Sequence, residues 1–203
     1  MAITYSEMLP LGTEAPAFDL PIANPAVDAA RDTPSRSLHD YPDAGALVVI
    51  FTCNHCPYVI AVEDRMIALA HDFAPRGVQF VAICSNNAET HPADSFENMA
   101  VRAGEKSYPF PYLHDESQEV ARAYAAACTP DFYVFGSDRR LVYRGRLDDG
   151  TPGREPTTHD LRDALSEFLE TGEATKEQIP SMGCNIKWKD AEYHSVPLAE
   201  SGK

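Results

Sequence analysis

Six consecutive apolar residues, Ala46–Phe51, give the strongest structural signal in this chain. The length of the run predicts a central β-strand that is covered on both faces. After Pro57, apolar residues recur at spacings of three and four as far as Phe73, which predicts an amphipathic helix. Residues 78–84 predict a second buried strand. This part of the chain should therefore form a parallel strand, helix and strand unit with a right-handed crossover.

The second half of the chain has a different pattern. Residues 92–103 and 117–126 predict two short helices. The apolar stretches 132–135 and 141–143 flank a turn-forming segment, which is typical of an antiparallel β-hairpin. The chain should therefore combine parallel and antiparallel strands in one sheet.

The end of the chain is predicted to hold one more helix and a tail. Thr157 and Asp160 have the spacing of a capping box, so this helix should begin at Thr157 or Thr158. The tail, residues 173–203, shows no clear periodicity. The apolar side chains through which we expect it to pack on the body are Ile179, Ile186 and Trp188.

Composition limits the classes of protein that remain. The chain has 203 residues, 44% of them hydrophobic, which favours one domain over residues 1–203 with its core at about residues 14–172. The net charge of −14 disfavours a nucleic-acid partner, because the phosphates would be repelled. The apolar runs are far shorter than the roughly 20 residues that span a bilayer, so no membrane partner is expected. The N-terminus lacks a basic segment followed by an apolar one, and we expect a cytoplasmic protein.

The chain contains five cysteines: Cys53, Cys56, Cys84, Cys128 and Cys184. Structural disulfides are rare in a reducing compartment, so closely spaced cysteines there are more often catalytic or metal-binding. Cys53 and Cys56, which two residues separate, form the informative pair. Cys84 ends a predicted buried strand and is expected to be inert core.

The cysteine pair falls where the first predicted strand meets the helix. Unpaired backbone N–H groups and the positive end of the helix dipole favour a thiolate there, and the thiolate is the form that attacks a disulfide. Pro57 fits the first helical turn, which needs no N–H at that position. A CxxC motif can also be half of a zinc site or arise by chance. Its position between a strand and a helix favours redox chemistry.

His55 lies inside the motif. A protonated imidazole beside the thiolate would lower the thiol pKa further and make the disulfide form a stronger oxidant. We therefore expect a reduction potential above the roughly −270 mV of thioredoxin. The alternative is that His55 is a solvated residue at the start of the helix.

Several motifs resemble one known family. They are residues 53–59 (CNHCPYV), 128–132 (CTPDF), 143–149 (YRGRLDD), 183–188 (GCNIKW) and the opening 11–18 (LGTEAPAF). In this order they are similar to thioredoxin-like proteins of the alkyl hydroperoxide reductase/thiol-specific antioxidant (AhpC/TSA) group, and the similarity covers nearly the whole chain. It implies an α/β thioredoxin-like fold, with a central mixed sheet flanked by helices, an N-terminal extension and a C-terminal tail. It also implies that Thr129 and Pro130 form a cis-proline loop facing the cysteine pair.

Two departures from the peroxiredoxin pattern bear on function. Peroxiredoxins of this group use a Thr-x-x-Cys-Pro motif, in which the cysteine attacks peroxide. Here Cys56 and Pro57 hold the peroxidatic register, but Cys53 stands where the threonine would. The position of the activating arginine is taken by residues 128–130. Both changes favour disulfide exchange over peroxide reduction.

We therefore predict a thiol–disulfide oxidoreductase that acts on protein or small-molecule disulfides and is recycled by an unidentified reductant. Cys53, expected to be the more exposed, would attack, and Cys56 would resolve. His55 and Pro57 would support the pair, while Thr129 and Pro130 would bind the substrate. Cys128 and Cys184 are either additional redox thiols or packing residues.

Two alternatives remain open. One is a peroxiredoxin-like thiol peroxidase that reduces hydroperoxides. The other is a metal-binding or redox-sensing protein, because thiolate and imidazole groups of Cys53, His55, Cys56 and Cys128 are suitable ligands for zinc or an iron–sulfur cluster. We expect neither a metal nor an organic cofactor, since a cysteine pair carries two electrons by itself.

Overall fold

The structure is a computed structural model that describes residues 3–31 and 33–190. Its strands are β1 (Ile3–Tyr5), β2 (Asp19–Pro21), β3 (Ser35–Ser37), β4 (Ala46–Phe51), β5 (Val78–Cys84), β6 (Tyr112–His114), β7 (Cys128–Thr129), β8 (Asp131–Gly136), β9 (Leu141–Gly145) and β10 (Met182–Asn185). Its helices are α1 (Pro57–Phe73), α2 (Phe96–Glu105), α3 (Glu119–Ala123) and α4 (Asp160–Thr171). None of the described helices is long and apolar enough to cross a bilayer.

A five-stranded mixed sheet forms the centre, in the order β6-β5-β4-β8-β9. Strand β4 pairs in parallel with β5 and antiparallel with β8, which places it in the middle of the sheet. Strands β8 and β9 form the predicted antiparallel hairpin. The predicted strand, helix and strand unit is confirmed as β4, α1 and β5.

Strand β4 is buried on both faces because its side chains alternate between two hydrophobic clusters. Ala46, Val48 and Ile50 pack in the cluster that contains the apolar faces of α1, α2 and α4. Leu47, Val49 and Phe51 pack in the cluster on the other side, with residues of α3 and of the N-terminal segment. The result is a thioredoxin-like fold whose central sheet has helices on both faces.

Three helix boundaries differ from the sequence predictions. The helix predicted at residues 92–103 is divided at Ser95, which has an extended backbone and caps α2. Residues 92–94 form a separate 3₁₀ turn. Helix α3 is shorter than residues 117–126. Helix α4 begins at Asp160, because Thr157 donates to Asp149 instead of capping the helix.

The tail contains a strand that the sequence pattern did not show. Strand β10 lies between β1 and β7 and pairs antiparallel with both. Ile186 is buried and Trp188 packs against the same cluster, as expected, whereas Ile179 lines a surface cavity. The last part of the predicted tail, residues 191–203, lies outside the described residues.

Gly183 allows β10 to approach β7 closely. A Cβ atom at this position would lie 1.9 Å from the carbonyl oxygen of Thr129 and 2.6 Å from its carbonyl carbon. Both atoms belong to the backbone, so no side-chain rotation can relieve the overlap. The absence of a side chain at Gly183 therefore fixes the distance between the tail and the loop that follows β7.

We expect Gly183→Ala to lower the free energy of unfolding by about 1–3 kcal/mol, the usual cost of overpacking. The matched control is Gly104→Ala in α2, where a Cβ atom would meet nothing within 4 Å. This control should stabilise the protein by about 0.5–1 kcal/mol, because alanine is the better helix former. Chemical denaturation measures both, and equal stability of Gly183→Ala and the unchanged protein would contradict the close approach.

Candidate active site

The CxxC motif occupies the turn between β4 and α1. Cys56 is the N-cap residue of α1, and Pro57 is the first residue of the helix. Cys53 precedes the helix by several residues and belongs to the turn itself. The helix N-terminus therefore lies directly at Cys56, as Pro57 in the first helical position requires.

Both thiols face the loop that contains Thr129 and Pro130. Cys53 Sγ lies 3.3 Å from Thr129 Oγ1, and Cys56 Sγ lies 3.2 Å from the carbonyl oxygen of Thr129. The Thr129–Pro130 peptide bond is cis. The structure thus brings together the four residues to which the sequence assigned catalysis and substrate binding.

A third thiol completes the cluster. Cys56 Sγ lies 2.9 Å from Cys184 Sγ, which strand β10 carries. Cys184 is directly opposite Thr129 in the pairing of β10 with β7, so the two side chains point to the same face. The tail therefore contributes an atom to the site.

The expectation that Cys53 is an exposed thiolate is wrong. Its side chain is 1% exposed, and Cys56 is fully buried. The hydrogen bond with Cys56, together with burial and the charge of Asp94, raises the pKa of Cys53 well above its usual value. Cys53 lies before the helix begins, so the helix N-terminus acts on Cys56 instead.

Cys56 is the stabilised thiolate. The hydrogen bond from Cys53 lowers the pKa of Cys56 to about 5, with further contributions from the Cys184 thiol and the backbone N–H of Val59. Burial opposes this shift. When protonated, Cys56 donates to the Thr129 carbonyl oxygen, so that oxygen favours the neutral thiol. The donors around the sulfur outweigh both effects.

His55 is held by a buried carboxylate. Its Nδ1 lies 2.6 Å from Oδ2 of Asp94, and the hydrogen bond raises the pKa of His55. Asp94 also accepts hydrogen bonds from the backbone N–H of Asn54 and from the side chain of Asn86. His55 is therefore anchored by Asp94 rather than freely solvated.

Sequence reasoning missed Asp94 and Asn86. Asp94 lies 39 residues beyond His55, at the end of a 3₁₀ turn, and neither residue stands in a recognisable spacing with the motif. The side chain of Asn86 also accepts the backbone N–H of Lys187, which links this network to the tail. No sequence pattern indicates these residues, because Asp94 is 39 positions from His55 and Asn86 is 101 positions from Lys187.

Cys128 and Cys84 are packing residues in this arrangement. Cys128 Sγ has contacts of 3.9 Å with the carbonyl oxygens of Pro130 and Ser181, and burial raises its pKa. Cys84 is fully buried in β5, where burial likewise raises its pKa. The inert role expected of Cys84 agrees with this environment.

The group of candidate metal ligands in the structure differs from the alternative set predicted from the sequence. Donor atoms of Cys53, His55 and Asp94 lie within 4.8 Å of one another. This group contains Asp94, which the sequence did not suggest, and lacks Cys56 and Cys128. The oxygens of Asp94 already accept several hydrogen bonds, including that from His55, and a metal would have to displace them.

A buried ion pair supports the loop that faces the thiols. Arg144 of β9 forms a bidentate hydrogen bond with Asp131, and both side chains are fully buried. The guanidinium carbon of Arg144 lies 3.7 Å from the centre of the Tyr133 ring. Removing either charge would leave the other buried without compensation, which is strongly destabilising. The pair therefore fixes Asp131 directly after Pro130.

A cavity of about 200 Å³ opens beside this loop. Its wall includes Tyr58 from the first turn of α1, Pro130 from the loop and Met182 from β10. Each of these residues is close in sequence to one of the thiols or to Thr129. A substrate in this cavity would approach the site from the side of the cis-proline loop.

The fold and the clustered cysteines define a thioredoxin-fold thiol protein. The model of the Redoxin family matches residues 10–165. The chain therefore belongs to the Redoxin family, and the resemblance to the AhpC/TSA group is confirmed.

Two solved structures are similar over nearly the full length. An uncharacterised conserved protein from Geobacillus kaustophilus is 49% identical, with a TM-score of 0.85, over 93% of this chain and 97% of that one. A hypothetical protein from Sinorhizobium meliloti is 41% identical, with a TM-score of 0.84, over 91% of this chain and 98% of that one.

A third structure shares the fold alone. The thioredoxin domain of a thiol-disulfide oxidoreductase from Bacteroides vulgatus is 16% identical, with a TM-score of 0.58, over 80% of this chain and 99% of that one. A search of the curated proteins finds no match to the chain.

The lowered pKa of Cys56 predicts a thiolate at neutral pH. In the reduced protein, the ultraviolet absorbance of one thiolate should disappear as the pH falls through about 5. An ordinary cysteine would lose it near about 8.5. Cys53→Ala should move the transition to higher pH because the main hydrogen-bond donor is lost, whereas Cys128→Ala should leave it in place. A transition above pH 8 in the unchanged protein would contradict the assignment.

His55→Gln should raise the pKa of Cys56 and lower the reduction potential of the cysteine pair, because a positive charge that stabilises the reduced thiolate is removed. We expect a change of about one pKa unit. The control is His71→Gln, an exposed site on α1. Titration against glutathione buffers measures the reduction potential of the cysteine pair. Equal reduction potentials for the two variants would show that His55 does not affect the electrostatics of the site.

Proposed function

We propose that this protein is a thiol–disulfide oxidoreductase in which Cys56 attacks and Cys53 resolves. One observation carries the proposal: Cys56 is the N-cap residue of α1, and the neighbouring thiol of Cys53, three positions earlier in the chain, lowers its pKa to about 5. A thiolate is the attacking species in disulfide exchange. A neighbouring thiol can then release the mixed disulfide.

The reaction proceeds in two exchanges. The Cys56 thiolate attacks a substrate disulfide, forms a bond to one substrate sulfur and releases the other as a thiolate. Cys53 then attacks Cys56 Sγ, and its proton passes to the departing substrate sulfur. The substrate gains two electrons, and a disulfide joins Cys53 to Cys56. An external thiol or dithiol returns the pair to its reduced form.

The loop after β7 is proposed to bind the substrate. Thr129 contacts both sulfurs and Pro130 lines the adjacent cavity. Pro57 contributes by starting α1 at the attacking residue, and His55 is proposed to support the pair through the raised pKa that its hydrogen bond with Asp94 gives it. Proteins of the Redoxin family act on thiols, disulfides or peroxides, and the paired thiols of Cys53 and Cys56 favour the first two classes.

Reduction of hydroperoxides is the second candidate, and the position of Cys56 favours it. Cys56 and Pro57 hold the register of the peroxidatic cysteine, and the sulfur is ionised at neutral pH. Its attack on the terminal peroxide oxygen would give a sulfenic acid and an alcohol. Cys53 would condense with the sulfenic acid and release water. The exchange reaction is preferred because a thiol replaces the hydroxyl of the peroxiredoxin motif.

Cys56→Ser tests both candidates at once. It should abolish the reduction of insulin and of small disulfides, by about 100-fold or more, because serine is not ionised at neutral pH. Cys128→Ala, at a buried thiol on the neighbouring strand, is the matched control and should retain the activity.

The substrate that is turned over distinguishes the two candidate functions. Turnover of disulfides should exceed turnover of hydroperoxides in the unchanged protein. Hydroperoxide consumption without disulfide reduction would establish the peroxidase instead. Full activity of Cys56→Ser towards both substrates would refute the proposed attacking residue.

A further inference from the structure

We propose that Cys184 is a third redox thiol, which alternates with Cys53 as the disulfide partner of Cys56. The proposal rests on the attacking role proposed above for Cys56. It extends that role by adding a residue of the C-terminal segment to the exchange reaction. Oxidation would then join β10 covalently to the start of α1.

The distance between the sulfurs is the first support. Cys56 Sγ and Cys184 Sγ lie 2.9 Å apart, a separation that a short movement converts into a bond. This contact joins residues that 128 positions separate in the chain. Such a contact arises only because β10 folds back over the site.

The construction of β10 is the second support. Gly183 brings the strand within van der Waals distance of the Thr129 carbonyl, where any side chain would collide. The next residue, Cys184, is opposite Thr129 and is 4% exposed. The backbone of Ile186 donates to Ala127, and Lys187 donates to Asn86. The strand is thus fixed on both sides of the thiol.

The protonation states suit an exchange between the two partners. Burial and the hydrogen bond to Cys56 raise the pKa of Cys184 to about 12. Cys184 is therefore a thiol that donates to the Cys56 thiolate, as Cys53 does. Neither partner competes with Cys56 as the attacking group in the reduced protein.

The steps balance without a further oxidant. Cys56 first forms a mixed disulfide with the substrate, as described above. Cys184 attacks Cys56 Sγ, its proton passes to the substrate sulfur that leaves, and a bond joins Cys56 to Cys184. Cys53 then attacks Cys56 Sγ, which breaks that bond and forms the disulfide between Cys53 and Cys56, while Cys184 regains a proton. This last step is an isomerisation and transfers no net electrons.

The proposal predicts a specific cross-link in Cys53→Ser. The variant is oxidised with glutathione disulfide, blocked with N-ethylmaleimide in acid and digested with trypsin. Cleavage after arginine and lysine places Cys56 in peptide 37–65 and Cys184 in peptide 177–187. We expect these two peptides to be joined by a disulfide in most of the protein. Cys53→Ser with Cys128→Ala should give the same cross-link.

Disulfide turnover supplies a second measurement. Cys53→Ser should retain part of the activity because Cys184 resolves the mixed disulfide, and adding Cys184→Ala should lower it by about tenfold or more. The double variant should accumulate glutathione on Cys56. Near-ultraviolet circular dichroism verifies that both variants are folded. The cross-link experiment does not depend on a substitution at Cys184, because Cys53→Ser leaves that residue in place.

The outcomes separate this inference from the proposed function. If Cys53→Ser keeps glutathione on Cys56 while Cys184 is recovered alkylated, the third thiol is refuted and the attacking role of Cys56 stands. If Cys56 takes up no glutathione and Cys56→Ser retains full turnover, the proposed function fails. A cross-link between Cys56 and Cys128 instead would also refute the role of Cys184.

Discussion

A buried sulfur anion is the constraint on which this site depends. Cys56 is fully buried, and a charge without water must be compensated by hydrogen-bond donors of the protein. The donors come from three places: the turn that holds Cys53, the first turn of α1 at Val59, and the tail strand that holds Cys184. The site is therefore complete only when the C-terminal segment has closed over the helix N-terminus. The contact between Cys184 and Cys56 therefore links the packing of the tail to the pKa of the Cys56 thiol.

Local patterns in the sequence were sufficient to predict much of the fold. The apolar run of β4, the helical periodicity of α1 and the hairpin of β8 and β9 are each specified within a short segment. The boundaries of α2 and α4 were less predictable, since Ser95 and Asp149 redirect nearby backbone groups through side-chain hydrogen bonds. Strand β10 could not be predicted from periodicity, because four residues between two partner strands leave no repeated pattern.

The candidate site was predictable to the extent that it is local. The pair Cys53 and Cys56 stands in one motif, and its place at a helix N-terminus follows from the flanking pattern. Asp94 and Cys184 approach the pair only through tertiary structure, so the sequence pattern did not indicate Asp94 and could name Cys184 only as a possible additional redox thiol. The proposed roles of the two cysteines differ from the sequence prediction for a related reason. Sequence order suggested that the first thiol is the exposed one, whereas the helix start at Pro57 directs its N–H groups towards Cys56.

Cys53 stands where the peroxiredoxin motif has a threonine, and this difference changes the reactions that are open to the Cys56 thiolate. A threonine hydroxyl at this position could donate to the sulfur or to a peroxide, but it could not form a bond with sulfur. The Cys53 thiol donates to the same anion and is also able to form a disulfide with it. In the proposed exchange reaction, the contact that lowers the pKa of Cys56 thus lies along the path by which the mixed disulfide is resolved. A substitution that weakens this contact must reduce both the reactivity of Cys56 and the rate of resolution, so the two properties cannot be varied independently at Cys53. Cys184 holds a second contact with the same sulfur. If it resolves the mixed disulfide as proposed, it gives the chain a separate position at which resolution can change while Cys53 continues to stabilise the thiolate.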